Sequence, residues 1–306
     1  MATKKNKKID KPMTPEMVQM ANAKISELLA KQNFSSIEEA NEFFKKHING
    51  KKIDDLFFNK KGRKTNIEKS EDLVYEAYES SPGEGKKLVQ KALKLDPDNI
   101  RALNYMADRE ENIEEAIKLY KQSMSIAERK LGPEYFNKNK GHFWGLHETR
   151  PYMTAKLNYA NCLNSSGKIE ESIHEYKELL ELNPNDNQGI RYILSGLLLH
   201  TENYGEYLKL YKSYKEKSTF WLFNYALYLF IKKGDSKESN KALQDANKCN
   251  KYVIKIMTQQ IQMNLEPPSH YSPGQEDEAV CYLMDNFSIW MKHKDSIFWL
   301  MKFVKK

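Results

Sequence analysis

A repeated pattern of small and bulky residues between residues 70 and 251 constrains the fold more than any other feature of the sequence. Its clearest copy runs from Tyr152 to Asp186, with small Ala160 in the first half and small Ser172 in the second. Bulky residues such as Tyr176 recur around them at helical spacing. Small residues let two antiparallel helices approach closely, and bulky residues fill the space beside them. The pattern therefore predicts stacked helical hairpins.

Neighbouring segments repeat this pattern less regularly. Several consecutive approximate copies disfavour chance periodicity, because one degenerate match carries little weight while a run of them indicates a repeat protein. The markers of the other copies are Ala92 with Pro97, Met106 and Ala107 with Ala116 and Tyr120, Leu194 with Tyr207, and Tyr225 and Ala226 with Gly234.

The order of large and small positions resembles the tetratricopeptide repeat. The resemblance implies an all-α solenoid of helical hairpins, wound as a right-handed superhelix, whose first helices line a concave groove. We expect an N-terminal helical hairpin before the repeats and a C-terminal capping helix after them. Scaffolds of this kind bind an extended peptide or a partner helix in the groove.

Three stretches carry a narrower resemblance. They are GHFWGLHETRPYM (141–153), NPNDNQGIRYIL (183–194) and YSPGQEDEAVCY (271–282). Together they resemble a bacterial tetratricopeptide subgroup related to the suppressor of tumorigenicity seven family, over about residues 72 to 300. The resemblance implies a binding scaffold and no reaction.

The chain divides into segments of different composition. Thr14-Pro15-Glu16 predicts a helix start, with Thr14 as the N-cap and proline at the first helical position. The predicted segments are a disordered basic tail at 1–12, an N-terminal helical hairpin at 13–50, a basic linker at 51–69, repeats at 70–251 with an insertion at 127–151, and capping helices at 252–306.

Positive charge is concentrated in two of these segments. The formal net charge is +7, from 49 Lys and Arg against 42 Asp and Glu. Residues 1–12 contribute +4 and residues 51–69 another +4, so the rest of the chain sums to −1. A protein that binds a duplex is expected to spread basic residues over a folded face. We therefore predict solvated segments and expect nucleic acid to be an unlikely partner, with nucleic-acid-associated regulation through 1–12 and 51–69 as an alternative.

Cysteine content and hydropathy predict a cytoplasmic location. Three cysteines are too few for a disulfide framework and fit a reducing compartment. The longest apolar stretch, Phe220–Ile231, is shorter than the about 20 residues of a membrane-spanning helix. We accordingly expect no membrane span, while the sequence leaves the oligomeric state open.

Motifs for catalysis or cofactor binding are incomplete. His147-Glu148 begins like a zinc-protease motif, but Pro151 stands where the second histidine belongs. No cofactor, metal or catalytic residue is predicted, and the protein is expected not to be an enzyme. An alternative places an enzyme or metal site in the insertion, around His142, His147 and Glu148.

The predicted function is a non-enzymatic protein-interaction scaffold with a protein or peptide partner. Amide and guanidinium groups facing a groove can hold a peptide backbone or a carboxylate. The candidate groove residues are Asn104, Asp108, Arg150, Tyr152, Asn161, Asn164, Arg191 and Asn224.

Overall fold

The computed structural model describes residues 14–30, 36, 38–39, 41–43, 64–262, 266, 268 and 270–305. All regular secondary structure within these ranges is helical, which confirms the predicted all-α class. The chain divides into two compact units, Met1–Pro184 and Asn185–Lys306. The predicted basic tail lies outside the described residues, as do most of the predicted linker and of the second helix of the predicted N-terminal hairpin.

Three helical hairpins form the body of the Met1–Pro184 unit. Each hairpin pairs consecutive helices: α2 with α3, α4 with α5, and α6 with α7. The helices of this unit are α1 (Pro15–Ala30), α2 (Asn66–Glu79), α3 (Pro82–Leu95), α4 (Ile100–Ala107), α5 (Ile113–Asn139), a 3-10 turn (Phe143–Gly145), α6 (Arg150–Ser165) and α7 (Ile169–Leu182).

The small residues of the repeat lie where the helices meet. Ala160 on α6 and Ser172 on α7 are fully buried, and so is Tyr176 beside them. Ala107 and Ala116 are buried in the preceding hairpin in the same way. The alternation of small and bulky residues is thus the packing pattern of the paired helices, as predicted. Assignment to the tetratricopeptide class and the handedness of a superhelix remain predictions.

Side-chain caps join successive hairpins as well as ending helices. Asn99 accepts a hydrogen bond from the backbone N–H of Ala102 at 2.9 Å and so caps α4. Its amide nitrogen donates to the Ser70 hydroxyl at 2.9 Å, and Ser70 donates to the Ala92 carbonyl oxygen at 2.9 Å. One buried chain of hydrogen bonds therefore connects α2, α3 and α4. Thr14 receives the backbone N–H of Met17 at 3.3 Å, as expected for the predicted N-cap of α1.

The predicted insertion contains the end of a long helix. α5 continues to Asn139 with a kink at Gly132, whose φ of 78° is in the left-handed region that favours glycine. Arg129 on this helix bonds Asp98 at 2.5 Å. Lys140, just beyond the helix, pairs with Glu181 of α7 at 2.7 Å. These contacts hold the segment against the hairpins of its own unit.

The Asn185–Lys306 unit is built from two hairpins and three further helices. α13 packs against the first helices of both hairpins, α8 and α10. The helices of this unit are α8 (Ile190–His200), α9 (Tyr204–Ser213), α10 (Thr219–Lys233), α11 (Lys237–Cys249), α12 (Tyr252–Met257), α13 (Glu276–Lys292) and α14 (Asp295–Val304).

Gly85→Ala tests the close packing of the first hairpin. A Cβ at Gly85 would lie 2.8 Å from the Ala77 carbonyl oxygen, and also within contact distance of the Tyr105 hydroxyl. We expect the substitution to lower the free energy of unfolding by about 1–3 kcal/mol, because overpacking forces the helices apart. Thermal or denaturant unfolding measures the change.

Gly83→Ala is the matched control on the same helix, since a Cβ there meets nothing within 4 Å. In the absence of a clash, alanine stabilises a helix by up to about 1 kcal/mol relative to glycine. Equal effects of the two substitutions would contradict the packing described for α2 and α3.

Candidate binding surfaces

The first helices of the three hairpins of the Met1–Pro184 unit contribute to one continuous surface. A cavity on it is lined by Tyr78 of α2, Arg101 and Asn104 of α4, and Pro151 and Thr154 of α6. We call this surface the first-helix face. It lies on the side of the repeat where the sequence predicted a groove.

Charge and ring contacts hold the side chains of the first-helix face in place. Arg101 Nε lies 3.7 Å from a carboxylate oxygen of Glu71, which joins α4 to α2. Tyr78 packs edge-on against Tyr105, with ring centroids 5.0 Å apart. Arg109 stacks over the Tyr105 ring at 3.6 Å, a favourable cation–π geometry. The face therefore offers ordered aromatic and guanidinium groups.

A helix from the N-terminal part of the chain already lies on this face. Met17, Met20 and Ala21 of α1 are buried, at 5%, 2% and 6% exposure. The two methionines belong to the same apolar cluster as Tyr75 and Tyr105 of α2 and α4. Gln19 of α1 lines the cavity described above. The first-helix face thus accommodates an amphipathic helix.

Asn104 is bonded inside the unit, and the expectation that its amide is open to a partner is not met. The side chain is 4% exposed. Its nitrogen donates to the Pro151 carbonyl oxygen at 2.9 Å, and its oxygen accepts from the Ser123 hydroxyl at 2.6 Å. The amide connects α4, α5 and α6, which is a structural role.

Asp108 is exposed and sits between two hairpins. Its Oδ1 accepts hydrogen bonds from the Tyr120 hydroxyl at 2.6 Å and the Asn158 amide at 2.9 Å. Burial raises the pKa of Tyr120, and the nearby Asp108 carboxylate raises it further. Tyr120 therefore stays a neutral hydrogen-bond donor to Asp108.

Asn161 and Asn164 are predicted groove residues on the second half of α6. Asn161 is exposed, and its oxygen accepts from the Tyr176 hydroxyl at 2.7 Å. Asn164 is half-buried. Both are accessible, and their role as binding residues remains a prediction.

Arg150 and Tyr152 anchor the insertion to α6. Arg150 Nε donates to the Trp144 carbonyl oxygen at 2.9 Å. Tyr152 is 4% exposed and packs with Phe136 and Phe143, at ring-centroid distances of 5.2 and 6.2 Å. These contacts fix the insertion, and Tyr152 does not face an open groove because the insertion covers it.

The carboxylate of the insertion has a structural partner. The Glu148 carboxylate accepts a hydrogen bond from the Tyr135 hydroxyl at 2.8 Å. Burial, together with this hydrogen bond, raises the pKa of Tyr135 to about 12. Burial lowers the pKa of His147, and the charge of Arg150 lowers it further. Within the part of the chain that the structure describes, no three His, Cys, Asp or Glu residues are grouped to hold a metal ion.

Lys156 is a charged residue that the sequence reasoning did not single out. Its side chain is 6% exposed and its ammonium group bonds the carboxylates of Glu175 and Glu178, the latter at 2.6 Å. Burial alone would lower the Lys156 pKa, but the two carboxylates outweigh it and raise that pKa. In the sequence, the only indication of this ion pair is that Lys156 lies in the first helix of its hairpin, next to residues that pack against the second helix.

Arg191 is the centre of an ionic cluster in the Asn185–Lys306 unit. It lies 2.8 Å from Asp186 and 2.7 Å from Glu216, and stacks over Tyr192 at 4.4 Å. Asp186 also accepts hydrogen bonds from the backbone N–H groups of Ile190 and Arg191. Because two carboxylates already bind the guanidinium, Arg191 fixes the start of α8, and a role in binding a partner stays a prediction.

Asn224 is fully buried, which corrects its placement in a groove. Its nitrogen donates to the Ser195 hydroxyl at 2.9 Å, and its oxygen accepts from the Tyr282 hydroxyl at 3.0 Å. Trp290 in turn donates to the Tyr282 oxygen at 2.8 Å. This chain of hydrogen bonds joins α8, α10 and α13. Asn224 is buried because α13 covers the face of α10 that carries it.

An exposed apolar stripe runs along the last two helices. Met284, Phe287 and Met291 follow one another at helical spacing on α13 and are 46%, 45% and 40% exposed. Phe298 of α14 is 63% exposed. Sequence reasoning did not find this stripe, since an amphipathic helix reveals its apolar residues and not which of them a neighbour covers.

Comparison with protein families gives a match over more than half of the chain. A family model described as transcriptional repressor TCF25 matches residues 98–306. The chain belongs to the TCF25 family. A search of curated proteins returned no significant match.

The TCF25 match spans α4 to α14, so the α4 and α6 parts of the first-helix face lie in the shared region and α1 to α3 precede it. The family is a different one from the subgroup that the sequence stretches resemble, although both comparisons cover the helical repeats. No helix in the described ranges is long and apolar enough to cross a bilayer.

Lys156→Met tests the buried ion pair. We expect it to lower the free energy of unfolding by about 2 kcal/mol, because two carboxylates lose their charged partner. Lys118→Met is the control: its pair with Glu115 is exposed, at 68% and 52%, and its loss is expected to leave the free energy of unfolding almost unchanged. Denaturant unfolding compares the two.

The same pair predicts a pH dependence. The Lys156 charge lowers the pKa of Glu178 against the opposing effect of burial. The stabilisation is therefore present above the ordinary pKa of glutamate and is lost as the pH falls through the lowered pKa of Glu178. The stability difference between the native chain and Lys156→Met should narrow in acid, and a difference that is constant down to acid pH would contradict this.

Proposed function

We propose that this chain is a non-enzymatic scaffold that binds an amphipathic helix, or an extended peptide, on the first-helix face. The observation that carries the proposal is α1, whose Met17 and Met20 are buried in the same cluster as side chains of α2 and α4. A surface that buries one helix has the shape and the apolar area to bury another. Arg101, which lines the cavity on this face, adds a guanidinium group that can bind a carboxylate of a bound chain.

Membership of the TCF25 family supports a role in transcriptional repression. A scaffold contributes to repression by holding a regulatory protein, so we propose that the partner is a component of the transcription machinery. Under this proposal the protein is present in the nucleus as well as in the cytoplasm, the location that the sequence predicts. The tetratricopeptide class is part of the same proposal, supported by the buried small residues at Ala160 and Ser172.

A photo-crosslinking residue at Thr154 tests the proposal, because Thr154 is half-buried and lines the cavity. Full-length protein is irradiated in nuclear extract, and crosslinked segments are identified by mass spectrometry. We expect a defined partner, crosslinked through a segment of helical periodicity. The same probe at Glu170, exposed on α7, is the control and should not capture it. Identical capture at both positions, or none at Thr154, would contradict the proposal.

A second candidate function is nucleic-acid-associated regulation, which the family description and the two basic segments favour. Lysine-rich segments bind nucleic acid through phosphates, and the affinity falls steeply with salt. Under this alternative, binding to duplex DNA should fall by about a factor of a thousand between 50 and 200 mM salt if some six phosphate contacts are made. Deleting residues 1–12 and replacing Lys60, Lys61, Arg63 and Lys64 with glutamine should then abolish binding. DNA binding that is unaffected by the salt concentration and by these sequence changes would contradict this alternative.

The enzyme alternative has less support. Glu148 is held by Tyr135, and Arg150 is turned toward the Trp144 backbone, so the polar groups of the insertion bond one another. The proposed scaffold does not use His142, His147 or Glu148.

A further inference from the structure

α1 differs from the other helices of the Met1–Pro184 unit in how it is held. Thirty-five residues separate its end at Ala30 from the start of α2 at Asn66, so its contact with the first-helix face is not the product of a tight hairpin. The other helices of the unit are joined by two to five residues, except α5 and α6, which are joined by ten residues that include the 3-10 turn. The attachment of α1 therefore depends on side-chain contacts such as those of Met17 and Met20.

Those side chains form a narrow stripe. Met17, Met20 and Ala21 are buried at spacings of three and four residues, whereas Val18 on the adjacent side is 42% exposed. Methionine is unbranched and adapts its shape to an irregular surface, which suits a contact that forms and dissolves.

α1 also has little stability of its own. It has 16 residues, near the length at which an isolated helix is marginal in water. Its last turn carries no basic residue that would offset the negative end of the helix dipole. Its helical state is therefore linked to its position on the face.

From these observations, and resting on the proposed function, we propose that α1 is an intramolecular occupant of the first-helix face that a partner helix displaces. The partner is an amphipathic helix that carries unbranched or small apolar residues at the spacing of Met17, Met20 and Ala21. While α1 is bound, Tyr75 and the cavity beside Tyr78 and Arg101 are covered, so α1 lowers the affinity of the face for any other helix.

A labelled synthetic peptide with the sequence of residues 14–30 tests this directly. It is titrated into the full-length protein and into a full-length Met17→Asp/Met20→Asp variant. Charged residues at buried positions should release α1, so we expect the peptide to bind the variant at least about tenfold more tightly, which corresponds to about 1.4 kcal/mol. A Val18→Asp variant is the control, because Val18 is exposed, and it should behave as the native chain.

Hydrogen exchange on the unmodified protein gives a second readout that does not depend on a variant that folds. Excess unlabelled peptide should speed the exchange of residues 15–21 while α2 and α4 remain protected. Equal peptide affinity for the native chain and the double variant, or unchanged exchange of α1 with peptide present, would overturn the inference. Displacement of α1 by the peptide together with failure of Thr154 to crosslink a partner would instead leave the inference standing and contradict the proposed function.

Discussion

Close approach of paired helices across small buried residues is the constraint on which the rest of the structure depends. Ala160 and Ser172 sit where α6 meets α7, and Gly85 sits where α3 meets α2 and Tyr105. A single methyl group at Gly85 would collide with its neighbours, so the helices are packed too closely there to accommodate a larger side chain. That spacing brings the first helices of successive hairpins side by side and creates the face that holds α1.

The elements themselves were largely predictable from the sequence, and the environment of single side chains was not. The all-α class, the helix start at Thr14 and the buried small residues follow from local patterns that need only the neighbouring residues. The burial of Asn224, by contrast, involves a hydrogen bond from Tyr282, which is 58 residues away in sequence. Repeat position indicates which side of a helix a residue occupies, but the element that later covers that side decides whether it is a surface.

Coverage by later elements also explains why some candidate binding residues are accessible and others are buried. Asp108, Asn161 and Asn164 remain accessible because no later element within the described ranges covers that part of α4 and α6. Tyr152 is covered by the aromatic residues of the insertion. Lys156 was missed because a buried lysine is rare unless paired, and its pairing with Glu175 and Glu178 exists only in the folded hairpin. The family match adds what the geometry does not provide, which is a connection to transcriptional repression.

The account rests on α1 occupying the first-helix face, and thiol reactivity measures that occupancy most directly. Met20 is 2% exposed and Val18 is 42% exposed on the same helix. Met20→Cys and Val18→Cys are each made in the full-length chain, and their rates of alkylation are followed by site-specific mass spectrometry. The account predicts that the cysteine at position 20 reacts at least about tenfold more slowly, since it is exposed only when α1 leaves the face. Equal rates at the two positions would show that α1 does not occupy the face and would contradict the account.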